Sequence, residues 1–63
     1  MKLDNVKYSA FAILNNDIVA HRHFVTEAAK NNWCNKQYRL HGENVIVEVW
    51  EAFTDKLLER WGA

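Results

Sequence analysis

The chain has 63 residues, of which 49% are hydrophobic and 25% are charged, and its formal net charge at pH 7 is zero. This composition excludes a disordered chain and favours a single globular domain over 1–63. It contains no run of about 18 apolar residues, and the stretch 1–5 lacks the apolar core of a signal peptide. We therefore expect no membrane span and a cytoplasmic location.

The first predicted element is a β-hairpin. Two segments, 6–14 and 18–25, show partial strand-like alternation of apolar and polar side chains. Between them lie Asn15, Asn16 and Asp17, residue types that tolerate positive φ and bond their own backbone, as turns require. Two alternating segments joined by so short a turn predict a hairpin.

A helix is predicted next, at about 26–35. Thr26 precedes Glu27, and a threonine side chain caps the free N–H groups of a first turn, while an acid beside it favours the helix dipole. Asn31 and Asn32 are poor helix formers, so the end of this helix is expected to fray.

The following residues predict further strands. A short strand is expected at 37–40 and a turn at 41–44. The segment 45–50 is the most strand-like in the chain, because its valines and isoleucine lose side-chain freedom in a helix and pack well on a sheet.

A C-terminal helix is the clearest local prediction. Four apolar residues fall at spacings of i, i+3, i+7 and i+11, which is one face of a helix: Trp50, Phe53, Leu57 and Trp61. Gly62 stands where a helix stop belongs. The whole order is then ββαββα or ββαβα, an α+β domain with a small antiparallel sheet and helices packed on one face. The alternative is an all-α chain in which 6–15 and 18–32 are helices.

A cluster of nitrogen and sulfur side chains suggests a metal site as one hypothesis. His21 and His23 lie two apart on a predicted strand, so their side chains point the same way. Cys34 and His41 would complete a set of four ligands suited to zinc. The spacing matches no familiar zinc finger, and a solvent-facing strand is the simpler interpretation, so we predict no metal and no cofactor.

The same histidines are the candidate acid and base of a toxin-like nuclease, with Arg22 or Arg39 holding a phosphate. The chain has no glycine-rich phosphate loop and no HExxH-type spacing, and nothing fixes a base beside a nucleophile. We therefore predict that it is not an enzyme and assign no catalytic residue.

Nucleic-acid binding is the first alternative function. The middle of the chain is basic, with Arg22, Lys36 and Arg39 as candidate phosphate contacts and Trp33 and Tyr38 as candidate platforms for stacked bases. The zero net charge argues against it, because dedicated binders are usually basic.

The predicted function is that of a small protein-binding regulator or inhibitor that docks on a larger protein, of the kind that phages carry against host enzymes or defence systems. Three tryptophans in so short a chain exceed what its core can cover, and such side chains anchor interfaces. The candidate partner-binding residues are Trp33, Tyr38, Arg39, Glu51 and Asp55. Late acids are candidates for facing a basic groove on the target: Glu48, Glu51, Asp55 and Glu59. A homodimer is a further expectation, because a lone cysteine, Cys34, excludes an internal disulfide.

Overall fold

The structure, a computed structural model that describes residues 5–62, is an α+β fold in the order ββαββ. Its strands are β1 (Tyr8–Leu14), β2 (Asp17–Phe24), β3 (Ile46–Glu51) and β4 (Leu57–Trp61), and its helix is α1 (Glu27–His41). The strands form one antiparallel sheet in the order β2-β1-β3-β4. The α+β class is therefore confirmed. Over 5–62, no helix has the length and apolar character needed to cross a membrane.

The predicted hairpin is confirmed, with β1 and β2 joined by a two-residue turn. Asn15 and Asn16 have φ angles of 53° and 68°. Positive φ at both central residues is the backbone of a type I′ turn, whose twist matches that of the flanking strands. Asparagine adopts this conformation more readily than most residues because its short side chain bonds locally.

The helix begins where the sequence predicts and ends later. The Oγ1 atom of Thr26 accepts the N–H of Ala29 at 3.2 Å, which caps the first turn. At the other end Gly42, with φ 80°, donates its N–H to the carbonyl of Tyr38, so the strand predicted at 37–40 is wrong.

The helical spacing of the buried residues explains the longer helix. Lys30, Cys34 and Gln37 are buried and recur every three or four residues along α1. Packing of this face against the sheet outweighs the low helix propensity of the asparagines around it.

The predicted C-terminal helix is also wrong. The strand β3 runs to Glu51, and the chain then reverses into β4. Phe53 has φ 62°, a left-handed conformation that a right-handed helix does not contain. Thr54 closes the reversal, because its Oγ1 donates to the Glu51 carbonyl at 3.0 Å and accepts the Lys56 N–H at 3.2 Å.

The core lies between α1 and the side of the sheet that faces it. Its buried side chains are small or β-branched except for one phenylalanine: Ala10, Ala12, Phe24, Cys34, Val45, Val47 and Val49. An ion pair between buried Lys30 and Glu59 ties α1 to the edge strand β4. The Lys30 ammonium also lies 5.5 Å from the centre of the Tyr8 ring.

Candidate functional site

The side of the sheet that faces away from α1 carries a cleft of about 480 Å³, which we call the open-face cleft. Strand alternation sends every second side chain to this side. Its aromatic and imidazole groups come from three strands and the β3–β4 loop: Phe11, His21, His23, Trp50 and Phe53. Its aliphatic groups are Ile13 and Ile18.

Four of these rings form a continuous series across the sheet. Phe11 and His21 stack with centroids 4.4 Å apart and planes within 3°. The ring of His21 meets that of His23 edge-on at 4.8 Å, and His23 meets Phe53 at 5.6 Å. At the end of the series Phe53 is 64% exposed. Three of the four rings, His21, His23 and Phe53, belong to exposed residues, so the series is open to solvent.

Among the described residues, the Asp, Glu, Lys and Arg side chains that line the cleft are all acidic: Glu48, Glu51 and Asp55. Glu48 is held in place, because the Trp50 indole N–H donates to its Oε1 at 3.2 Å and Arg60 Nε lies 3.9 Å from its Oε2. Glu51 and Asp55 are exposed, and within residues 5–62 neither forms a salt bridge. The cleft thus combines an aromatic floor with negative charge.

A serine–histidine pair lies on the same surface. Ser9 Oγ is 2.9 Å from His23 Nδ1, a distance that permits proton transfer. Ser9 is only 7% exposed and sits in β1, whose backbone pairs with β2 on one side and β3 on the other. Its neighbouring N–H groups are committed to the sheet and are poorly placed to stabilise an oxyanion. We interpret the hydrogen bond as one that orients the His23 ring.

A second depression, which we call the helix-side groove, lies between α1 and β2 and has a volume of about 320 Å³. Its charged groups are basic, Arg22 and Lys36. Its aromatic groups are Trp33 and Phe24, whose ring centroids are 5.7 Å apart. The groove joins a basic rim to rings that also pack on the core.

The structure divides the five predicted partner-binding residues among different places. Glu51 and Asp55 line the open-face cleft, and Trp33 lines the helix-side groove. Tyr38 packs on Trp61 with ring centroids 6.0 Å apart, and burial raises the pKa of its hydroxyl.

Arg39 is exposed on α1 and lines neither surface. Of the residues predicted for nucleic-acid binding, Arg22 and Lys36 come together beside Trp33, while Arg39 does not join them.

The four residues of the zinc hypothesis do not converge. His21 and His23 lie in the open-face cleft, whereas Cys34 is fully buried on the opposite side of the sheet. In the described part of the chain no group of three or more His, Cys, Asp or Glu side chains is arranged to hold a metal ion. Burial raises the pKa of the Cys34 thiol above its ordinary value of 9.0, which keeps it protonated and weakly nucleophilic.

Sequence reasoning missed Phe11 and Phe53 as site residues. Phe11 carried a usable signal, since it alternates with Ala10 and Ala12 and so gives β1 apolar side chains on both faces. Phe53 carried none, because its spacing from Trp50 and Leu57 fits a helix.

No protein-family model, no curated protein and no solved structure matches the chain. The two surfaces, one acidic and one basic, are therefore the basis for a functional proposal.

Proposed function

We propose that the chain is a small protein-binding regulator that docks the open face of its sheet on a larger protein. The observation that supports this is the aromatic open-face cleft, which α1 does not cover. An antiparallel sheet with one solvated face usually carries polar side chains there. Here Phe53 and Ile18 are 64% and 62% exposed beside the stacked rings. Exposed aromatic clusters of this kind mark interaction sites.

The proposed regulator works as an inhibitor that occupies a surface of its target. The cytoplasm is its proposed location, since the free thiol of Cys34 suits a reducing compartment. A second copy of the chain is another way to cover the same face, and the experiment below separates the two.

Affinity capture with two matched variants tests the proposal. Phe53→Asn removes the exposed ring and places a residue that tolerates positive φ at that turn position. Leu40→Ala is the control, because Leu40 is equally exposed, at 66%, and lies on α1. We expect one protein, captured after nuclease treatment, to be retained by the parent chain and Leu40→Ala and lost by Phe53→Asn. Equal retention by both variants, or capture of the chain itself alone, would contradict the proposal.

Nucleic-acid binding is a second candidate, favoured by the meeting of Arg22, Lys36 and Trp33 in the helix-side groove. Cations beside an aromatic ring are the elements of a single-strand binding groove. Among the described residues, however, the groove is lined by two cations, a small number for a groove that tracks a phosphate backbone. This candidate is therefore ranked second.

A further inference from the structure

We propose that the open-face cleft receives an arginine side chain from a basic segment of the partner protein. This inference rests on the proposed docking function and adds the chemistry of the partner. It follows from the charges of the cleft, from its aromatic floor and from the hydrogen bonds that close the loop bordering it.

Charge complementarity selects the occupant. Glu48, Glu51 and Asp55 line the cleft, and among residues 5–62 no lysine or arginine does. Within residues 5–62, Glu48 is the one of these acids that forms a salt bridge, with Arg60 Nε 3.9 Å from its Oε2. A cationic segment gains from this potential, whereas the phosphates of a nucleic acid are repelled by it.

The aromatic floor favours a planar cation. A guanidinium stacks flat on an aromatic face and is also attracted by its π-electrons. An ammonium is attracted as a point charge but does not stack. The parallel stack of the His21 ring on Phe11 shows that a planar group packs face to face on this floor. The indole N–H of Trp50 donates a hydrogen bond to Glu48 Oε1, which favours one orientation of its ring.

The loop that carries two of the acids is closed by hydrogen bonds of its backbone. Glu51 and Asp55 flank the reversal between β3 and β4, which is closed by the Glu51 N–H to Lys56 carbonyl bond of 2.9 Å and by the two hydrogen bonds of Thr54. A braced loop loses little entropy when it binds. The planar fork of arginine matches a carboxylate with two parallel hydrogen bonds, which lysine cannot form.

Titration of the isotope-labelled chain with three short peptides tests the inference by NMR. The peptides share glycine and leucine flanks and differ in the central residue, which is arginine, lysine or the neutral isostere citrulline. We expect the arginine peptide to shift the Trp50 indole signal and the amide signals of 51–55. The citrulline peptide should bind at least about tenfold more weakly, because it lacks the charge that drives the cation–π and carboxylate contacts.

Two double variants locate the effect. Glu51→Gln/Asp55→Asn removes two charges from the cleft, and Glu27→Gln/Glu43→Gln removes two from exposed positions on α1 and the turn after it. We expect the first to weaken arginine-peptide binding about tenfold and the second to leave it nearly unchanged. Equal binding of the citrulline or the lysine peptide, equal effects of the two double variants, or no binding at millimolar peptide would overturn the inference.

Other occupants give different results. A second copy of the chain would shift the Trp50 signal with protein concentration alone, and a single-stranded oligonucleotide that shifts it would favour nucleic acid, and either result overturns the inference. Capture of a partner that is lost by Phe53→Asn but kept by Glu51→Gln/Asp55→Asn would sink the arginine site while the docking function stands. Loss of the docking function would appear instead as retention of the partner by Phe53→Asn.

Discussion

The open-face cleft and the helix-side groove both combine rings with charges, and they differ in what their rings do. In the groove, Trp33 is half-buried and packs on the core residue Phe24. In the cleft, Phe53 is 64% exposed and its aromatic neighbour is the exposed ring of His23. Rings of the first kind stabilise the fold, and rings of the second kind remain available to a partner.

The two surfaces also differ in the sign of their charge. Successive residues of β2 point to opposite sides of the sheet, so Arg22 joins the groove while His21 and His23 join the cleft. The zero net charge of the chain therefore conceals an acidic surface and a basic one. A whole-chain charge balance is a poor guide to the partner of a protein built in this way.

Replacing one ring from each surface gives the largest difference that we expect in the free energy of unfolding. We expect Trp33→Ala to lower the free energy of unfolding by about 2–3 kcal/mol, less than for a fully buried tryptophan because Trp33 is half-buried. Phe53→Asn should change it by less than about 0.5 kcal/mol, since it replaces an exposed side chain. Urea unfolding followed by circular dichroism measures both. Comparable losses would show that the ring in the cleft is structural too.

We expect the same contrast in stability for charged residues. Replacing one on the helix side of the sheet should cost more than replacing one at the open-face cleft. Glu59→Ala leaves buried Lys30 without its carboxylate, and we expect a loss of about 2 kcal/mol, discounted because Glu59 is 37% exposed. The double variant Lys30→Met/Glu59→Leu replaces the whole pair with apolar side chains and should be close to neutral. Glu51→Ala, at the cleft, should stay within about 0.5 kcal/mol of the parent. Thermal unfolding ranks the stabilities of the three variants. A Glu59→Ala variant as stable as the parent would show that this ion pair does not stabilise the fold.

We expect the pH dependence of stability to come from Glu59, on the side of the sheet that faces α1. The hydrogen bond from Lys30, helped by that from Trp61, lowers the pKa of Glu59 below its ordinary value of 4.5, and partial burial opposes the shift. A carboxyl with a lowered pKa in the folded state contributes stability above its unfolded pKa, and this contribution is lost as the pH falls through the folded value. We expect the urea midpoint to fall from about pH 5 downward. The urea midpoint of the double variant Lys30→Met/Glu59→Leu should fall less steeply with falling pH. An identical slope would show that Glu59 is not the source of the pH dependence.

Local patterns predicted the first half of the fold well. The asparagine turn and the Thr26 cap depend on neighbouring residues, and both are confirmed. The alternation in 6–14 also correctly separates Ala10 and Ala12, which meet α1, from Phe11, which faces away. Such features need no knowledge of distant contacts.

The second half of the fold depends on contacts that a linear pattern does not contain. The spacing of Trp50, Phe53, Leu57 and Trp61 fits a helix. The segment forms a strand instead, because β4 pairs with β3 and Glu59 forms an ion pair with Lys30. One warning was present, because Asp55–Glu59 and Lys56–Arg60 would be like-charge pairs at i,i+4, which destabilise a helix. The candidate site was harder still, since Phe11, Trp50 and Phe53 meet only after strand order and register are known.

The smallest effect we expect is on nucleic-acid binding by the basic helix-side groove. If the helix-side groove holds a single strand of nucleic acid, Arg22→Gln/Lys36→Gln should lower the slope of log affinity against log salt by about 0.7 for each phosphate contact removed. Fluorescence anisotropy of a labelled oligonucleotide at several salt concentrations measures this slope. Glu51→Gln/Asp55→Asn is the matched control, because it also changes two charges but lies across the sheet. A slope that is unchanged by the loss of Arg22 and Lys36 would leave the basic groove without a nucleic-acid role. The proposal of a partner would then rest on the aromatic, acidic cleft alone.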